Sequence, residues 1–438
     1  MKNYIKFIAI TLVLVALGSC EVEDFADLNS PSLEDIEANP SIGDIQDLIG
    51  GMQASMRNNL GTYFDDVGVI GREFYRFSSS DPRFTADLLG RETAILDNNT
   101  FYITNPWAAR YNVVKSANIV LKAVDNTTAD ISTAEKDAIR GFAKTIKAHE
   151  LLLNLNLTYN NGIRIDVEDP DNLGPINDYQ TSLTQIREIL DEGATNLSNA
   201  SGASFPFDLS AGFAGFSTPS SFLEFNKALG ARIAAYQGDL DAVTTYLNTS
   251  FFSLTGDLRQ GTYYVFSSDG NDVFNPMFFA LNSSTAGARI MQPSFLTDAN
   301  PDDERLSKVV ERDEPLTLDG LTGSYDFFVY TTNTSPIPII RNEELVLLYA
   351  EANHIDAPAE AVNAINVVRN AAGLPNYTGG TDPQSLVDEI LNQRRYSLYG
   401  EGHRWIDMRR FNKLDELPID RPQDDVWVEF PIPLNENI

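Results

Sequence analysis

Residues 341–373 read RNEELVLLYAEANHIDAPAEAVNAINVVRNAAG. The stretch divides near Ile355 and Asp356. Before that point, EELVLLYAEAN (343–353) is apolar almost all round, the pattern of a helix buried on every side. After it, Val362, Ile365, Val368 and Ala372 recur at helical spacing and mark one apolar face, and Gly373 and Pro375 stop the run. Two helices so closely joined fold back on each other. The 33 residues of the pair match the length of a tetratricopeptide unit, about 34 residues of the same design. The tetratricopeptide consensus itself is not legible. The expected fold class is therefore mostly α. Helix pairs of tetratricopeptide-like type form a right-handed solenoid, wrapped by irregular loops and a few short strands.

Working outward, further helices follow from the same spacing rule. On the C-terminal side, Asp382-Pro383 caps a helix over LVDEILNQRRYSL that ends at Gly400. On the N-terminal side, Ser41–Leu60 places Ile42, Ile45, Ile49, Met52 and Met56 on one stripe. Trp107, Tyr111, Val114, Ala117 and Leu121 form another, on a helix opening near Asn105-Pro106. Ser132 to Glu135 is a capping-box pattern leading a long helix to Leu157, which ends at Asn160-Asn161-Gly162. Ser182–Leu197 is helical, and Phe222–Tyr236 and Leu240–Leu247 form a pair split by Gln237-Gly238-Asp239. From Phe251 to Ile340, Gly, Ser, Asn, Thr and Pro are dense among short aromatic runs, which predicts loops and short strands without a second core.

The chain has 438 residues, 32 Lys and Arg against 62 Asp and Glu, and a formal net charge of −30. Nucleic-acid binders need basic residues to displace phosphate counterions, so this balance argues against that class and against charge-driven adhesion to anionic lipid. There is one cysteine, Cys20, so no intramolecular disulfide forms. Its surroundings explain it. Lys2 and Lys6 precede an apolar run from Phe7 to Leu17, too short to span a bilayer and right for a signal peptide. Leu17-Gly18-Ser19-Cys20 resembles the bacterial lipobox, with residues 1–19 as the signal peptide and Cys20 as the lipid attachment residue. Acyl chains contribute about 0.8 kcal/mol per buried CH₂ and anchor a protein without a spanning helix. Residues 20–40 read as an acidic tether. Glu21, Glu23 and Asp24 resemble the export tag of Bacteroidetes surface lipoproteins.

Residues 398–411, LYGEGHRWIDMRRF, hold one of three histidines beside Asp407 and three arginines. A His403/Asp407 pair at i, i+4 has metal-ligand or acid–base spacing, but His149 and His354 lie in distant helices without a motif. The favoured reading is a packing lock, with Trp405 buried and Arg404, Arg409 and Arg410 paired with carboxylates. Asp298 to Asp302 begins like a calcium loop and then fails, since Asp303 stands at the glycine position and Val309 at the bidentate one. No nucleophile or phosphate-loop motif is present. No catalytic residue, metal site or cofactor is assigned.

Four segments taken together resemble the C-terminal half of the RagB/SusD family: LVLLYAEANH (345–354), AVNAINVVRNAAGLP (361–375), LVDEILNQRRYSLYGEGHRWIDMRRF (386–411) and FPIPLNEN (430–437). Trp107 with Tyr111 and Asn118, TYNNGIRI (158–165) and DERL (303–306) resemble shorter family segments, although Ile163-Arg164 replaces a frequent Val-Pro. The resemblance implies one domain over 41–438, divided into an N-terminal helical half (41–250), a loop-rich insert (251–340) and a C-terminal closing half (341–438). It implies a lipid-anchored outer-membrane nutrient-uptake protein, exposed at the cell surface. Such a protein is the lid of a TonB-dependent, SusC-like β-barrel transporter and captures oligosaccharides. A peptide-binding lid, a helical surface enzyme and an interaction scaffold are the alternatives. Sugars present apolar C–H faces to aromatic rings and hydroxyls to Arg. On that ground the candidate ligand residues are Tyr63, Phe64, Arg72, Phe74, Tyr75, Arg76, Phe77, Arg83 and Phe84, on a loop-like segment 61–84. Tyr263, Tyr264 and Tyr330 rank second.

Overall fold

The computed structural model describes residues 38–436. Cys20, the signal segment and residues 21–37 of the tether lie outside the described residues. The last tether residues are engaged: the Thr127 hydroxyl donates to the Pro40 carbonyl at 2.6 Å, and Thr128 donates to Asn39.

Among the described residues the helices longer than one turn are α1 (Ile42–Ser55), α2 (Leu60–Ile70), α3 (Phe101–Asn126), α4 (Thr133–Thr158), α5 (Tyr179–Asn199), α6 (Pro219–Gln237), α7 (Leu240–Leu247), α8 (Asn342–Asn353), α9 (Pro358–Ala371), α10 (Pro383–Ser397) and α11 (Arg404–Arg410). Their starts follow from short-range chemistry. Ser41 with Asp44 and Ser132 with Glu135 close capping boxes, while Asp178 and Asp382 accept the Thr181 and Ser385 amides. The helix containing Pro106 starts at Phe101, a turn before the expected point. Tyr102 and Ile103 are fully buried, and that apolar surface outweighs the single backbone hydrogen bond lost at the proline.

Successive helices pack as neighbours from α3 through α7, and α7 packs directly on α8 although residues 248–341 separate them in sequence. The solenoid is therefore continuous in space, and the loop-rich segment is an excursion from it. Helices α4 and α5 cross closely because Gly141 has no side chain; a Cβ there would meet the Gly193 carbonyl at 3.0 Å. Between α4, α6 and residues 205–213 the core is an aromatic cluster of Phe142, Phe205, Phe207, Phe213, Phe222 and Phe225, mostly edge-on or tilted at 5–6 Å.

The excursion builds the strands. A four-stranded antiparallel sheet has the order β1 (Phe74–Phe77), β5 (Ala288–Met291), β7 (Leu321–Phe327), β6 (Val309–Leu318). Two-stranded pairs join β2 (Ile163–Arg164) to β3 (Ile176–Asn177), and β4 (Gly261–Tyr264) to β8 (Ile337–Arg341). Asp319 and Gly320, both at positive φ, turn the β6–β7 hairpin. The tip is tied down, since Asp319 accepts from Arg91, Arg421 and Thr85.

Segment 61–84 differs from the expected loop. It forms α2, then β1, then a 3₁₀ turn at Pro82–Phe84. Its glycines and aromatics mimic a loop locally, but they serve close packing. A Cβ on Gly68 would meet the Phe74 ring at 2.5 Å, and β1 gains its identity only by pairing with β5, more than two hundred residues later.

Candidate ligand-binding surface

The 398–411 stretch lies in the interior. Arg394 Nε donates to Asp407 Oδ2 at 2.7 Å, Arg410 Nε to Asp407 Oδ1 at 3.1 Å, and Arg410 Nη2 to Glu351 at 2.6 Å. Arg232 holds Glu344 through two bonds of 2.7 and 2.6 Å. His403 sits between the two groups, 3.7 Å from Glu344. Burial lowers His403 to about 4, against the pull of Glu344, so it is neutral at pH 7. Arg409 departs from the expected carboxylate pairing. It donates to the carbonyls of Val428 and Asn156 and lies over the Tyr159 and Trp405 rings at 4.1 and 4.5 Å. Trp405 is fully buried and donates to the Trp427 carbonyl. The network binds α6, α8, α10 and α11 together. Among the described residues no group of three or more His, Cys, Asp or Glu is placed to hold a metal ion.

The nine candidates of segment 61–84 separate by depth. Tyr63, Phe64, Arg72, Phe74, Tyr75 and Phe77 are all buried. Tyr63 caps Asn156 in the core, Phe74 packs on Phe327 at 4.8 Å, and Tyr75 stacks on Phe77. Arg72 is spent on backbone, donating to the carbonyls of Pro418, Asp425 and Val69, which staples the C-terminal segment to α2. Arg76, Arg83 and Phe84 reach the surface.

These three stand in a ladder with residues the sequence did not single out: Phe101, Phe279 and Arg289. Arg76 and Arg289 are cross-strand partners of β1 and β5. Their guanidinium carbons flank the Phe279 ring at 4.7 and 4.9 Å. Arg76 also lies 5.1 Å from the Phe84 ring, Phe84 meets Phe101 edge-on at 5.1 Å, and Arg83 covers Phe101 at 4.7 Å. Arg289 grips Asp65 through two bonds of 2.6 and 2.9 Å, and Arg83 grips Asp81 at 2.8 and 2.7 Å. Cation–π contacts of this kind contribute about 0.5–1 kcal/mol each where exposed. They fix guanidinium orientation, with Arg83 exposed, Arg76 reaching the surface in part and Arg289 buried. The ring faces are therefore occupied, and the groups on offer are ring edges and N–H donors.

The second-rank tyrosines fall elsewhere. Tyr264 is buried, 2.7 Å from His149 Nε2. Tyr263 and Tyr330 line a cleft of about 880 Å³ with Arg259, Arg305, Lys308 and Arg341. Its size suits a small ligand, but three of these four cations have structural work. Arg305 donates to the Ser397 hydroxyl, and Lys308 and Arg341 donate to the Ser397 carbonyl. Three cations thus neutralise the negative C-terminal end of α10.

The SusD family model matches residues 326–422. A SusD-like protein of Formosa agariphila is 39% identical over 90 residues, which are 18% of this chain and 18% of that protein. The fold matches over much more of the chain. A SusD superfamily protein from Bacteroides vulgatus aligns with a TM-score of 0.67 at 16% identity, covering 92% of this chain and 96% of its own. Surface glycan-binding protein A from Bacteroides thetaiotaomicron aligns with a TM-score of 0.67 at 15% identity, covering 90% and 96%. A SusD superfamily protein from Parabacteroides distasonis gives 0.65 at 15% identity, covering 89% and 96%.

Proposed function

The chain is SusD-like in the sequence of residues 326–422 and in its fold, and from that premise we propose that it is a lipid-anchored, substrate-binding protein of the outer-membrane surface. It captures oligosaccharides and covers a TonB-dependent, SusC-like barrel as its lid. Cys20 carries the anchor. Arg76, Arg83 and Phe84, with Phe101 and Phe279, form the capture surface.

The observation that carries this reading is the ladder itself: the guanidiniums of Arg76 and Arg83 held against rings where β1 and a short turn meet the surface. Groups held this way bind hydroxyl-bearing ligands without first losing side-chain entropy. A neighbour in fold, surface glycan-binding protein A, supports the carbohydrate class. The one His/Asp pair with catalytic spacing is locked in the core, so a binding role is favoured over turnover.

The test is calorimetric titration of a form beginning at Glu21 against oligosaccharides and peptides, followed by assay of each mixture for new chain ends. Binding of a glycan without cleavage is expected. Cleavage would replace the reading with an enzyme, and peptide-only binding would replace the ligand class. Co-purification of a β-barrel with the lipidated protein tests the lid.

A further inference from the structure

We infer that the groove between α3 and the loop after β2 is the seat of residues 21–37, so that the acidic tether is a strap laid along α3 toward Arg164. The inference goes beyond ligand capture and does not rest on the ladder.

The groove has a volume of about 800 Å³. One wall is the outer face of α3, where Asn112, Lys115, Ile119, Lys122 and Asn126 recur at helical spacing. The other wall is the loop between β2 and β3, with Val167, Pro170 and Leu173. Ile119 and the 46%-exposed Leu173 leave apolar surface on both walls, and covering it is favourable.

Charge selects the occupant. Three carboxylates line the groove and each is answered: Asp125 by Arg140 at 2.6 Å, Glu168 by Lys147 at 3.1 Å and Glu436 by Arg164 at 3.2 Å. Lys115 and Lys122 give the helical wall a positive sign, in a chain whose net charge is −30. A fitting segment carries apolar side chains among carboxylates. Residues 21–37, EVEDFADLNSPSLEDIE, have that chemistry. Val22, Phe25, Leu28, Leu33 and Ile36 stand among seven acidic residues, with no Lys or Arg.

Position and length agree with charge. The Pro40 carbonyl accepts from the Thr127 hydroxyl, and the Asn39 side chain accepts from Thr128. Thr127 directly follows Asn126, the last residue of α3, which lines the groove. The chain therefore enters the described body at one end of the groove. From Asn126 back to Asn112 α3 runs about 21 Å. The 17 residues of 21–37 span about 25 Å even as a helix, and more if extended. A segment joined covalently at the groove's end meets it at an effective concentration of millimolar order, so a contact too weak for a free peptide holds. With Cys20 as the lipid attachment residue, such a strap keeps the anchor close to the body.

The experiment is zero-length carbodiimide cross-linking of the full mature chain in detergent, with the joined peptides identified by mass spectrometry. The reagent condenses a lysine amine with a carboxyl in contact to an amide, itself taking up the water as a urea. Lys115 is the informative lysine, because it lies about 18 Å along α3 from Thr127. We expect an amide from Lys115 to a carboxyl of residues 21–35, formed within one molecule when isotope-labelled and unlabelled protein are mixed. Leu33→Ser with Ile36→Ser alters only the strap. It should lower the yield about fivefold or more and speed amide exchange in residues 166–174 by a similar factor. Leu173→Ser should lower the yield from the opposite wall, with melting curves confirming that the variant folds. Amides joining only labelled to unlabelled chains would assign the groove to a second copy and overturn the inference. Absence of the Lys115 amide, or a yield unchanged by the double serine variant, would overturn it as well.

Discussion

Arg394 and Asp407 meet at 2.7 Å with both side chains closed to solvent, and the pair joins α10 to α11. Asp407 also receives Arg410, so one carboxylate compensates two buried guanidiniums. Asp407→Asn removes that compensation while keeping shape. Breaking a buried pair from one side costs about 3–5 kcal/mol, since the orphaned cation stays desolvated. Urea denaturation of Asp407→Asn should show a loss of that order. The double variant Arg394→Met with Asp407→Leu should recover much of it. Equal losses in single and double variants would show that packing, not charge, holds the lock.

Acid should open the same region. Burial alone would raise Asp407, Glu343 and Glu344, but Arg394, Arg341 and Arg232 outweigh it and hold all three carboxyls at about 2. Their values in the unfolded chain are about 4. The stability they contribute is complete above pH 4 and is lost as pH falls toward 2. His403 adds a slope of the same sign higher up: burial depresses it to about 4, so stability declines from its unfolded value near 6.5 downward. Denaturant midpoints should fall steeply between pH 4 and 2.5, whereas between pH 7 and 4.5 the slope from His403 is opposed by that from Glu73. A midpoint flat from pH 4 to 2.5 would show the carboxylates to be unpaired.

Glu73 predicts the opposite slope. Burial raises it to about 8, against one hydrogen bond from the Gly400 amide at 2.9 Å, and its second oxygen has no partner. Its stabilising proton is retained below the unfolded value near 4.5, and its contribution is lost as pH rises through 8. Glu73→Gln keeps the acceptor for Gly400 and cannot ionise. The variant should lose less stability than the parent between pH 6 and pH 9, and should be the more stable of the two at pH 9. Parallel losses would mean that Glu73 is already ionised in the folded protein.

What the residues disclosed in advance depended on range. The pair 342–353 and 358–371 was legible because a buried helix and its one-faced partner each write their burial into local periodicity. The lock was legible because Trp405 and its ionic neighbours sit within a few residues of each other. Helix α2 and strand β1 were not, since β1 exists only through β5 and the glycines of α2 are explained only by Phe74 and Pro276. The ladder was half legible. Arg76, Arg83 and Phe84 lie in one segment, but Phe101, Phe279 and Arg289 arrive from three others, and no spacing rule links them.

The turn after α4 offers a stability test in which two glycines are compared. Gly162 has φ +70, and a Cβ there would fall 1.7 Å from the Asn177 carbonyl oxygen, inside the β2–β3 pair. Gly202 has φ +87 and nothing within 4 Å. Both alanine variants carry backbone strain of about 1–3 kcal/mol. Only Gly162→Ala must also push the two strands apart. Its melting temperature should drop well below that of Gly202→Ala. Equal drops would mean that β2–β3 moves aside freely.

Phe279→Leu tests whether rings hold the ladder. Phe279 lies between Arg76 and Arg289, yet the two guanidiniums do not depend on it equally. Arg289 keeps its two bonds to Asp65 and one to the Pro276 carbonyl, so it should stay in place. Arg76 keeps one hydrogen bond, to the Phe77 carbonyl, the Phe84 ring and a looser 3.4 Å approach to Asp65. Each guanidinium loses one cation–π contact, about 0.5–1 kcal/mol, and the loss matters most at Arg76, which has fewer other bonds. Arginine Nε–H spectra should show faster motion at residue 76 and none gained at residue 289. Ligand affinity should fall about two- to fivefold, because the freed side chain must be ordered on binding. Phe279→Tyr retains the ring and should retain both rigidity and affinity. If Phe279→Leu loosens Arg76 without weakening the ligand, the guanidinium lies beside the ligand and does not hold it.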